Sequence, residues 1–134
     1  MPTYFADAWF FIALFDRRDS HHGRAHRLSR SLGPTPVVTL DAVLTEVLAY
    51  FSEEGPHARK IAVEGIRNAI QSYQVLPAQR DLFLAGLNRY AERPDKQYSH
   101  VDCMSMVTME ANSIRHVLTN DHHFTQAGFI VVNQ

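Results

Sequence analysis

The chain has a single cysteine, Cys103, so it forms no internal disulfide. A lone thiol suits a reducing compartment, and the expected location is the cytoplasm. Long apolar runs are missing as well: the longest, Ala8 to Phe15, is eight residues. A bilayer span needs about 20, so no membrane role is expected. The opening Met1-Pro2-Thr3-Tyr4-Phe5 lacks the basic stretch that precedes a signal peptide's hydrophobic segment. No glycine-rich phosphate loop occurs, which argues against a P-loop or dinucleotide-binding function. A strong charge of either sign is also absent, since the formal net charge is −1. That excludes a protein relying on bulk positive charge, as many nucleic-acid binders do. What remains is 134 residues, 46% hydrophobic and 20% charged. This composition predicts one folded domain, residues 1–134, burying roughly two-thirds of its unfolded surface.

Near-neutrality hides an uneven distribution. Eleven of the thirteen basic residues are Arg, and only Lys60 and Lys96 are Lys. Arg17, Arg18, Arg24, Arg27 and Arg30 fall in one short segment with His21, His22 and His26, and Asp19 is its only acid. The guanidinium fork matches phosphate, which makes Arg17, Arg18, Arg24 and Arg27 candidates for contacting an RNA backbone. A solvated helix face would have the same composition.

Periodicity alternates between strand-like and helical along the chain. Tyr4-Phe5-Ala6, Val37-Val38-Thr39, Tyr73 to Leu76, His116 to Thr119 and Phe129 to Val132 read as strands. Between them, Ala8 to Phe15, a segment capped by Ser20 and ending near Gly33-Pro34, one capped by Asp41, one opened by Gly55-Pro56, Asp81 to Glu92, and Ser99 to Ile114 read as helices. The alternation predicts an α/β fold with a parallel sheet covered on both faces. Sites in such folds lie at the C-terminal ends of the strands.

Two acids sit there: Asp7 follows the first strand and Asp121 follows His116 to Thr119. Either could equally be a helix cap. Asp102 stands in the run Val101 to Met109, which contains no other charge. A carboxylate in that company must be paired, hydrogen-bonded or bound to a cation, and a capping box with Ser99 would also accommodate it. Glu46 lies off the apolar stripe of its helix, with only Ala42, Ala49 and Tyr50 nearby. If Asp7, Glu46, Asp102 and Asp121 converge, their repulsion calls for a hard divalent cation, Mg²⁺ or Mn²⁺ rather than zinc. Such an ion activates water and neutralises a phosphodiester. His122 and His123 flank Asp121, but a hard-cation site does not need imidazole, and histidine at a helix start is ordinary. Cys103, Met104, Met106 and Met109 read as core.

In order, Phe5-Ala6-Asp7, Thr39 to Glu46, Asp95 to Ser105 and Leu118 to Phe124 resemble the PIN-domain nucleases, especially the VapC-like toxins of toxin–antitoxin pairs. The last two blocks carry S-x-x-D at Ser99–Asp102 and T-x-D-x-x-F at Thr119–Phe124. The resemblance implies a three-layer α/β/α sandwich, with Asp7, Glu46, Asp102 and Asp121 as catalytic, metal-binding acids oriented by Ser99 and Thr119. It also implies an RNA substrate, a cognate antitoxin and a homodimer. One feature departs from the pattern: Ala8 and Trp9 stand where the family usually has Ser or Thr after the first Asp. That departure motivates a second expectation, a PIN domain that binds RNA or a protein partner without cutting.

Overall fold

In the computed structural model, which describes residues 2–134, five strands form one sheet in the order β3-β2-β1-β4-β5. They are β1 (Tyr4–Ala6), β2 (Val37–Leu40), β3 (Gln74–Leu76), β4 (His116–Leu118) and β5 (Ile130–Val132), and every pairing is parallel. Parallel neighbours require crossovers, and here the helices supply them. These are α1 (Ala8–Phe15), α2 (His22–Ser31), α3 (Asp41–Phe51), α4 (Pro56–Ser72), α5 (Arg80–Glu92), α6 (His100–Ala111) and α7 (His122–Gln126). The steps β1 to β2 to β3 run one way across the sheet, and the chain then returns past β1 to add β4 and β5. Right-handed crossovers therefore put α1–α4 on one face and the α5–α6 pair on the other. The packing agrees, with α1 against α2, α3 and α4, and α5 against α6. The result is an α/β/α sandwich.

The central strands have the sequence such a sheet demands. All four residues of β2 are buried, whereas the edge strands β3 and β5 are only partly covered. Phe5, Leu40, Val117 and Leu118 fill the sheet's interior, Phe10, Phe11, Val43 and Val47 pack from one side, and Met106 and Met109 are fully buried on α6. Cys103 and Met104 are core residues too.

Besides α5, which starts one residue early at Arg80, two helix starts differ from expectation. Ser20 caps nothing: Asp19 accepts from the His21 amide at 2.8 Å, and the turn this makes delays α2 to His22. Asp41 is already the first helical residue of α3, and its carboxylate accepts instead from the Ala78 amide at 2.8 Å. At the other end, α6 stops at Ala111 rather than Ile114 because Ser113 turns left-handed (φ 56°) and the Ile114 amide closes back on the Met109 carbonyl at 2.8 Å.

Candidate metal centre

β1 is flanked by β2 on one side and β4 on the other, so the strand order reverses between β1 and β4. A crevice opens at the C-terminal ends of strands where the order reverses. Asp7 leaves β1 there and Thr119 leaves β4. The Thr119 hydroxyl donates to Asp7 Oδ2 at 2.8 Å across the crevice, and its oxygen accepts from the Asp121 amide at 3.1 Å. One threonine thus holds both acids. Asp7 occupies the cap position of α1, yet its side chain makes no capping hydrogen bond and is committed to the crevice.

Asp102 and Asp121 are caps as well as cavity residues. Ser99 Oγ accepts from the Asp102 amide, and Asp102 Oδ2 accepts from the Ser99 amide, both at 3.0 Å, closing a full capping box. Asp121 Oδ1 accepts from the His123 amide at 2.9 Å at the start of α7. The capping and site readings are therefore not alternatives: the cap fixes the carboxylate's rotamer, and each oxygen keeps lone-pair capacity for a further ligand. Glu46, on α3, makes no hydrogen bond or ion pair among the described residues.

All four acids line one open cavity of about 500 Å³, with Trp9, Gln97, Ser99, Asn120 and His123. Burial pushes the Asp7 carboxyl up to about 7, helped by the charges of Asp102 and Glu46; the Thr119 hydroxyl and the nearby Ala8 amide pull it partly back. Glu46 is raised by burial, then by Asp102 and Asp121. Asp102 is raised by burial and by Asp121, against the lowering effect of its Ser99 bonds and of His123.

Among the described residues no Lys or Arg pairs with any of the four acids. Among the described residues the one basic side-chain nitrogen within 4 Å of them is His123 Nδ1, 3.1 Å from Asp121 Oδ1 and 3.7 Å from Asp102 Oδ2. Ligand atoms of Asp102, Asp121 and His123 all lie within 4.8 Å of one another. Mutually repelling carboxylates with no fixed cation, in a cavity open to solvent, fit a hard divalent ion. His123 carries no metal-ligand signature in the sequence; its place in the cavity depends on the start of α7 lying near Asp102, which local spacing does not encode. Trp9 lines the cavity wall, with its indole nitrogen buried and unpartnered among the described residues.

The arginines separate into two groups. Arg17 and Arg18 line a different cavity with Phe51, Glu54 and His57, and Arg18 bonds Glu54 Oε2 at 2.9 Å while its amide and guanidinium hold Asp16. The structure does not bring them to the acidic cavity. Arg24 and Arg27 line another, of about 490 Å³, with Gln134. Beside Gln134, Asn133 donates to Asn120 at 2.8 Å, tying the C-terminal segment to the acidic cavity's rim.

A parallel α/β/α sandwich with an acidic cluster at its switch point defines the class of protein. The PIN domain model matches residues 4–130, and the chain belongs to that family. Among solved structures it is similar to VapC20 of Mycobacterium tuberculosis, a toxin that cleaves the sarcin–ricin loop (28% identity, TM-score 0.87, 98% of this chain and 99% of that one). Two others share the fold: FitAcB of Neisseria gonorrhoeae (18% identity, TM-score 0.72, 97% and 96% covered) and a DNA-bound VapBC of Salmonella typhimurium (16%, 0.69, 98% and 98%). No curated protein matches the chain significantly.

Proposed function

We propose that this VapC-like PIN domain, acting as one unit over residues 1–134, is a metal-dependent ribonuclease and the toxin of a toxin–antitoxin pair. The observation that carries the reading is the meeting of Asp7, Glu46, Asp102 and Asp121 around one cavity without a Lys or Arg counter-ion among the described residues. These acids would hold the ion, Mg²⁺ or Mn²⁺, with Ser99 and Thr119 fixing their orientation. Bound there, a divalent cation supplies charge neutralisation at the phosphodiester and eases deprotonation of water. The protein's own part is positioning: Thr119 spans Asp7 and Asp121, the capping box fixes Asp102, and Glu46 makes no hydrogen bond or ion pair among the described residues. Arg24 and Arg27, which line a cavity with Gln134 next in sequence to the rim-bound Asn133, would hold the RNA backbone beyond the scissile bond.

Similarity to the VapBC and FitAcB structures supports a cognate antitoxin as partner. A second copy of the chain is the other partner, supported by the exposed stripe Phe83, Leu84, Leu87 and Tyr90 on α5. The test is cleavage of an RNA pool that includes a sarcin–ricin-loop oligonucleotide, with Mg²⁺ or Mn²⁺. Cleavage should stop in EDTA and fall about 100-fold or more in Asp102→Asn. Activity unchanged in both controls contradicts the metal–carboxylate reading. Trp9 in place of a hydroxyl favours a second reading, a binding module, and full Mn²⁺ binding without turnover would establish it.

A further inference from the structure

We propose that His123 is a nitrogen ligand of the cation, making this a mixed carboxylate–imidazole centre that favours Mn²⁺ over Mg²⁺. The inference rests on the metal-dependent reading above and goes beyond its four acids. His123 Nδ1 is buried and has no hydrogen-bond partner. Yet it stands 3.1 Å from Asp121 Oδ1 and 3.7 Å from Asp102 Oδ2, hydrogen-bonded to neither. A nitrogen that approaches two carboxylate oxygens without bonding either is arranged for something the three atoms share. Neighbouring corners of an octahedron with bonds of about 2.1 Å lie about 3.0 Å apart and opposite corners about 4.2 Å, and the 3.1 and 3.7 Å separations fall within that span.

The ring is held for the role. The His123 amide is fixed by Asp121 Oδ1, Tyr98 meets the imidazole edge-on at 5.7 Å, and the His122 ring lies 4.9 Å away. His122 itself does not line the cavity. Replacing one hard oxygen donor by imidazole weakens the case for Mg²⁺ and strengthens it for ions further along the transition series.

Pulsed electron paramagnetic resonance of the Mn²⁺-loaded protein reads a directly bound nitrogen as ¹⁴N coupling to the manganese. The wild type should show it, His122→Gln should keep it, and His123→Gln should lose it. By isothermal titration, His123→Gln should weaken Mn²⁺ binding about tenfold or more and Mg²⁺ binding by less than about threefold. A wild-type spectrum without nitrogen coupling, coupling that survives His123→Gln, or Mg²⁺ weakened as much as Mn²⁺ overturns the assignment. The wild-type spectrum decides the matter even where the variant folds poorly. A protein that binds no Mn²⁺ at all would sink the nuclease reading together with this one. One that binds Mn²⁺ and cuts RNA without nitrogen coupling sinks only the ligand assignment.

Discussion

Asp7 is the residue on which the fold and the site pull in opposite directions. Its carboxyl is pushed up to about 7 from an ordinary value of 3.8, because ionising it means placing charge in a buried crevice beside Asp102 and Glu46. An acid raised in the folded state leaves stability intact below its unfolded value and costs stability as pH rises through the folded one. The metal-free protein should therefore lose stability between about pH 4 and pH 7, by up to about 4 kcal/mol from Asp7 alone. Glu46 and Asp102, raised in the same direction, add to the slope. Thermal melts of the EDTA-treated protein across that window check it: Asp7→Asn should flatten the dependence, and Mn²⁺ should restore stability most at the upper end. Thr119→Val should cost about 1–3 kcal/mol, because it unpairs the Asp121 amide and frees Asp7. Mn²⁺ affinity, read by titration, should fall about 10–100-fold with it. Of these residues, Asp102 was legible in the sequence as a lone charge in an apolar run. Glu46 has no such signature and was carried by the family resemblance. Nothing local marks His123, whose proximity to Asp102 is a product of tertiary packing.

At the scale of elements, α6 matters most, since it presents Asp102 and packs along α5. Gly86 is the closest point between them: a Cβ there would stand 2.6 Å from Met104 Cγ and 3.2 Å from the Met104 amide nitrogen. Alanine is the better helix former by about 1 kcal/mol, but overpacking against a backbone costs about 1–3 kcal/mol. Gly86→Ala should thus lower stability in chemical denaturation by up to about 2 kcal/mol net; a stabilised variant would contradict this packing. Strands and helices were legible because β-branched runs such as Val37 to Thr39 and apolar stripes such as Val43, Val47 and Phe51 repeat with different periods. Helix ends were less so. Asp19 and Asp41 satisfy amides through turn and long-range bonds that propensity cannot anticipate, and Ser113 ends α6 by adopting a conformation unusual for serine.

For the whole molecule, the net charge of −1 is the sum of an acidic cavity and a basic segment elsewhere, and one bound divalent cation would bring it to +1. RNA affinity, measured on an Asp102→Asn background, should then depend on salt through Arg24 and Arg27. Removing either should reduce the slope of log affinity against log salt by about 0.7. Arg18→Ala should leave the slope unchanged, because its guanidinium is engaged with Glu54 and Asp16. The α5 stripe, with side chains from 43% to 52% exposed, should hold a dimer of twice 15.3 kDa in sedimentation, and Leu87→Asp should reduce it to a monomer. The sheet order was hidden in the sequence, because alternation predicts parallel strands but not which lie side by side. That order is what brings Asp7 and Asp121, at opposite ends of the chain, to one crevice. The most direct test of this centre is anomalous scattering from a crystal soaked in Mn²⁺. The account predicts a manganese peak in the cavity, within bonding distance of Asp102 and Asp121; an empty cavity, or a peak only elsewhere, would contradict it.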